Sequence, residues 1–91
     1  MDIGNRLREA RKEKNISIEE IEKYTKIRKK YLYALENNDF NKIKGEIYVK
    51  AFIRGYAEVV DIDDKELVAE YEKYIRKKKK ENEIEESEVK E

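Results

Sequence analysis

Apolar residues along this chain recur at three- and four-residue spacing, which predicts helices throughout and no strands. Ile3, Leu7 and Ala10 mark a first helix over about 2–14, ended by Asn15. Ser17-Ile18-Glu19-Glu20 is a capping box, in which the serine hydroxyl accepts the Glu20 N–H and the Glu20 carboxylate reaches back. It opens a short second helix, to about Tyr24, with Ile18 and Ile21 inward. A third helix runs from about Arg28 to Asn37, with Ile27, Tyr31, Leu32 and Leu35 expected in the core. Asn37-Asn38 can supply the left-handed conformation that closes it. Only about three residues separate the second and third helices, the connection of a helix-turn-helix.

Phe40 and Ile43 read as anchors for the following loop. Gly45 precedes a fourth helix over Glu46 to Val60. Asp63-Asp64-Lys65-Glu66 caps a fifth, with Leu67, Val68, Tyr71 and Ile75 on its inner face. Beyond Arg76 the periodicity fades. The expected fold is all-α: a five-helix domain over 1–76, then a charged, disordered tail over 77–91.

Composition narrows the chemistry. The 91 residues allow one domain and one modest core, with neither cysteine nor histidine in the chain. That excludes disulfide staples, thiolate metal sites and a histidine base. The three glycines are isolated and cannot cradle a phosphate, and no nucleophile–base pair is evident. The expectation is therefore no enzyme, no metal and no cofactor. No N-terminal apolar run suggests a signal peptide, and no apolar stretch is long enough to span a membrane.

The formal charge is zero, yet it is zoned. Residues 1–60 carry 14 Lys/Arg against 10 Asp/Glu, and residues 61–75 carry 2 against 6. The run RKKKK over 76–80 is followed by one lysine and six glutamates over 81–91. Such zoning points to partner surfaces of particular sign. The basic run reads equally as a match for anionic lipid headgroups or as a solvated helix end favoured by the helix dipole.

Two surfaces are candidates for binding. At about 100° per residue, with Tyr48 at the origin, Phe52 falls near 40°, Tyr56 near 80° and Ala57 near 180°. That arc exceeds the roughly 100° a surface helix needs for its core face. One edge, carrying the Tyr48–Phe52 pair, should stay outside, and adjacent accessible aromatics are typical of an interface hot spot. Lys50 and Arg54 are expected to flank that edge, with Ile53 and Tyr56 in the core. The second candidate is the start of the third helix, where Lys26, Arg28, Lys29 and Lys30 could reach phosphates or guanine edges.

The runs GNRLREARKEKNISIEEIEKYTKIRKKYLYALENNDF and KGEIYVKAFIRGYAEVVDIDDKELVAEY resemble the N-terminal domain of the RodZ family of bacterial cell-shape proteins. The distinctive pieces are Thr25-Lys26-Ile27, Tyr31-Leu32, Asp39-Phe40 and Tyr48, Phe52, Arg54, Tyr56-Ala57. The first half is shared with many repressor-like DNA-binding domains; the aromatic fourth helix is the specific part.

The resemblance implies a repressor-like helix-turn-helix fold lying in the cytoplasm, at the inner membrane's cytoplasmic face. It also implies binding to MreB, the bacterial actin homologue, through aromatics at Tyr48 and Phe52. Membrane tethering would come from a segment absent from this chain. Lys44, Glu46 and Asp64 stand where that family usually has prolines, and Asn38 and Ala51 where it has glycines.

A sequence-specific DNA-binding regulator using the third helix is the alternative. Against it, Ile18 stands where repressor-type domains usually carry a phosphate-bracing Gln. Glu22 stands where they carry a close-packing Ala, and Lys26 where they carry the turn Gly.

Overall fold

The structure, a computed structural model, describes the backbone of residues 2–89 and the side chains of residues 2–81. Five α-helices follow one another: α1 (Ile3–Glu13), α2 (Ile18–Thr25), α3 (Lys29–Glu36), α4 (Glu46–Val59) and α5 (Asp64–Val89). A 3-10 turn, Phe40–Lys42, lies between α3 and α4.

Three helix starts, those of α1, α2 and α5, carry the caps their sequences offer. Asp2 accepts the Asn5 N–H at 2.9 Å, and the Ser17–Glu20 capping box is closed in both directions. Asp63 accepts the N–H groups of Lys65 and Glu66. The cap of α3 is supplied from outside: the Glu22 carboxylate accepts the Lys29 N–H at 2.8 Å.

Four of the helix ends turn through left-handed residues that are not glycine: Asn15, Lys26, Asn38 and Asp61. At three of them the next N–H reaches a carbonyl five residues back, Ile16 to Arg11, Asp39 to Ala34 and Ile62 to Ala57. This is the Schellman closure. At Lys26 the Thr25 hydroxyl takes the Ile27 N–H instead.

The core gathers one face from every helix. Leu7, Ile21, Leu32, Leu35, Ile53, Tyr56 and Leu67 are fully buried, with Phe40 and Ile43 plugging the loop as expected. Phe40 meets Tyr71 edge-on at 5.2 Å. Where α1 crosses the end of α3, a Cβ on Gly4 would lie 2.2 Å from the Glu36 carbonyl oxygen, so only glycine fits. The Gly4 N–H donates to the Asn38 side chain at 2.9 Å, tying that crossing to the left-handed turn.

Among the described residues one charged group lies inside. Glu36 is only 4% exposed and receives the Arg11 guanidinium at 2.9 Å and 3.4 Å, together with the Tyr56 hydroxyl. Arg11 also donates to the Ile16 carbonyl. The network joins α1, α3 and α4, and it fixes the rotation of α4 by holding Tyr56 inward. Burial first, and Glu36 second, raise the Tyr56 hydroxyl far above the usual tyrosine range.

One expectation needs adjustment. Tyr31, expected in the core, is half-buried at its margin. The backbone of α5 runs helical to Val89, and among its described side chains the buried face ends with Tyr71 and the partly buried Ile75. Residues 76–81 are exposed; lysine and glutamate are good helix formers, and no Gly or Pro interrupts the run. Lys79 pairs with Glu46 at 3.2 Å. The rest of the expected tail, the side chains from residue 82 and residues 90–91 entirely, lies outside the described residues.

Candidate functional site: an aromatic edge and groove on α4

The inward face of α4 is set by Val49, Ile53, Tyr56 and Ala57, all buried. Burying these four turns Tyr48 and Phe52 to the margin. Tyr48 is 60% exposed, whereas Phe52 is half-buried and packs against the core. Their ring centroids are 6.3 Å apart, and Phe52 lies 5.5 Å from Tyr31 of α3. Tyr31 is capped by the Lys30 ammonium, 4.9 Å from its ring. The edge is therefore a row of three rings crossing from α4 to α3, where the sequence suggested two. Beside it, Ile47 is 81% exposed at the start of α4.

Behind this row runs a groove of about 850 Å³ between α2 and α4. Phe52, Ile27 and the exposed Tyr24 form walls, and Ala51, Gly55 and Val59 form the α4 side. Glu58 is the charged lining residue.

The basic residues named beside the edge go elsewhere. Lys50 turns toward α5 and pairs with Glu72 at 3.5 Å. Arg54 is exposed, but helical geometry puts it about 120° behind Tyr48, on the flank away from Phe52.

Of the four at the start of α3, Lys29 pairs with Glu19 at 3.7 Å and Lys30 covers Tyr31. Lys26 and Arg28 are exposed, and among the described residues neither has a carboxylate partner. The amide end of α3, a natural seat for a phosphate, is occupied by the Glu22 carboxylate.

Sequence reasoning missed Tyr24, Ile47 and the outward role of Tyr31. Ile47 had a signal: it falls about 100° from Tyr48 on the polar side of the helix, where an isoleucine is out of place. Tyr24 had none, because α2 is too short for its last turn to show a face.

Comparison with known proteins places the fold. The helix-turn-helix domain family matches residues 6–67. The uncharacterized membrane protein YmfM of Bacillus subtilis is 43% identical over 60 residues, 66% of this chain and 21% of that protein. The cytoskeleton protein RodZ of Streptococcus pneumoniae is 34% identical over 70 residues, 77% of this chain and 25% of that protein. The chain thus spans a quarter or less of the length of either relative.

A solved structure of YmfM from Staphylococcus aureus, described as a candidate DNA-binding membrane protein, superposes with a TM-score of 0.73 at 30% identity. The match covers 80% of this chain and 89% of that one. Among the described residues no helix is long and apolar enough to cross a membrane. With a family match over most of its length, the chain belongs to the helix-turn-helix domain family, and its relatives include YmfM and RodZ.

Proposed function

We propose that this chain is a non-catalytic adapter that docks through α4 on an actin-like filament protein of the MreB type. In a longer protein carrying a membrane-spanning segment, such a domain would link the filament to the cytoplasmic face of the membrane. The observation that carries the reading is Tyr48, 60% exposed on a helix held to the core by the buried Val49, Ile53, Tyr56 and Ala57. A large ring held out on a rigid scaffold loses little freedom on binding, which is why such residues dominate interface energetics. The likeness to the RodZ cytoskeleton protein supports the choice of partner.

DNA binding through α3 is the weaker alternative. Glu22 fills the amide end of α3 and Glu19 holds Lys29, so two carboxylates stand where phosphate would approach. The basic footprint of residues 1–60 is also small.

The test is co-sedimentation of the 91-residue chain with purified, polymerised MreB, comparing the parent with Tyr48→Ala/Phe52→Ala. Loss of binding in a variant of unchanged helicity is the expected result. Full binding by that folded variant would refute the docking role of α4.

A further inference from the structure

We propose that the docking site extends behind the aromatic edge into the α2–α4 groove. The groove would receive a protein segment that presents apolar side chains to its floor and carboxylates to its α2–α3 rim. The inference rests on the docking reading above and specifies the partner's surface chemistry.

The first observation is continuity. Phe52 belongs both to the aromatic row and to the groove wall, so a partner seated on Tyr48 and Phe52 already stands at the groove mouth. The second is the nature of the floor. Ala51 is exposed and Gly55 lacks a side chain, while their neighbours Phe52 and Tyr24 rise on either side. A Cβ on Gly55 would come within 3.3 Å of Ile27, so the absent side chain also lets α4 lie close to the α2–α3 turn. The groove is thus open at its centre and walled by rings. That form suits an inserted apolar side chain of a partner helix or loop.

Charge selects the partner. Ile27 lines the groove, and its chain neighbours Lys26 and Arg28 are both exposed. Lys30 stands over Tyr31 at the end of the aromatic row. Among the described residues none of these three cations is neutralised by a carboxylate, whereas neighbouring Lys29 is. On the α4 side Glu58 lines the groove and Arg54 is exposed. The α2–α3 rim is therefore a positive border to an apolar floor, and its complement is an apolar protrusion flanked by Asp or Glu. Phosphate is the poorer match, since Glu19 and Glu22 lie on the same helix pair.

The experiment is co-sedimentation of the full chain with polymerised MreB for four proteins: parent, Tyr48→Ala, Ala51→Trp and Lys26→Glu/Arg28→Glu. Ala51 is exposed, so a bulky residue there fills the groove without entering the core, and circular dichroism checks the fold. The expected result is that Ala51→Trp and the double reversal each weaken binding about tenfold or more. Parent affinity should also fall as NaCl rises.

Ala51→Trp binding as well as or better than the parent, while Tyr48→Ala fails, overturns the groove proposal and leaves the edge reading intact. Unchanged binding in all three variants refutes both. Loss of binding to a duplex DNA in the double reversal, with filament binding unchanged, assigns the rim to nucleic acid and overturns the proposal.

Discussion

Replacing Glu36 with Gln should destabilise the domain by about 3 kcal/mol without changing its shape, a figure built from two losses at one buried site. The side chain keeps its volume, so no cavity term enters. The Tyr56 hydroxyl exchanges an ionised acceptor for a neutral one, which loses about 1 kcal/mol because charge-assisted bonds are roughly twice as strong. Arg11 loses its counter-charge and one arm of its fork, and the new amide N–H₂ faces another donor. Leaving such a group unmatched typically costs about 1–3 kcal/mol. Arg11 sits at the low end of the range for a broken buried pair, because its side chain keeps 17% exposure and its bond to Ile16.

The measurement is urea unfolding followed by far-ultraviolet circular dichroism for parent, Glu36→Gln, Arg11→Gln and the double variant. Because one network is lost in either single change, the double should cost clearly less than their sum. Additive single effects, or a Glu36→Gln cost below about 1 kcal/mol, would show that Glu36 does not hold the three helices.

Alkaline pH should act on the same network. The unfolded chain gives up tyrosine protons above about pH 10, whereas the folded state keeps the Tyr56 proton because its pKa is raised. Stability is therefore intact below pH 10 and falls above it, by up to about 1.4 kcal/mol per pH unit from this group. Burial raises Tyr71 in the same direction. Urea midpoints between pH 8 and pH 11 should drop for the parent and drop less for Tyr56→Phe; equal slopes would contradict the assignment.

At the α2–α3 turn, Lys26 holds a φ of 66°, a strained conformation for a residue with a Cβ. Lys26→Gly should gain about 0.5–1 kcal/mol, the left-handed penalty less the extra entropy of glycine. It should also bind filaments more weakly, because a rim cation is lost. A less stable Lys26→Gly would mean that the lysine stem contributes packing that outweighs the strain.

The elements were legible because each signal was local. The capping box at Ser17, the left-handed Asn38 and the three-and-four spacing in α1 and α4 all act within one or two turns. The Tyr48–Phe52 edge followed from the width of the apolar arc, since burial of Ile53 and Tyr56 leaves helix geometry no other place for it.

What escaped depends on residues far apart in sequence. Glu36 is drawn inside by Arg11 and Tyr56, 25 and 20 positions away, so a charged residue after Leu35 gave no warning. Tyr31 is pulled from the core to the margin by Phe52 on another helix. Lys50 matched the helical face expected of it less well than it matched Glu72 on α5, a partner whose position only the tertiary fold supplies.

The helix-turn-helix connection itself explains why an apolar groove beside α4 and poor provision for DNA at α3 occur together. In this turn the Glu22 carboxylate caps α3 from across the bend, and the Thr25 hydroxyl takes the Ile27 N–H that a tighter closure would send to a carbonyl. Both devices stabilise a turn that has lysine where glycine would be easiest. Glu22 also places negative charge at the helix end that would otherwise attract phosphate.

The same turn pushes Ile27 against α4, where its side chain would stand 3.3 Å from a Cβ at Gly55, and so it builds one wall of the groove beside Phe52. The substitutions that spoil a phosphate site thus help form an apolar one on the neighbouring helix. Restoring the DNA-like chemistry with Glu22→Ala should therefore uncap α3, at about 1 kcal/mol, and loosen the Ile27 wall rather than create a tight duplex binder. Filament co-sedimentation and duplex binding measured on that one variant separate the two outcomes. A gain of salt-sensitive duplex affinity with filament binding unchanged would mean that α3, and not α4, is the working surface.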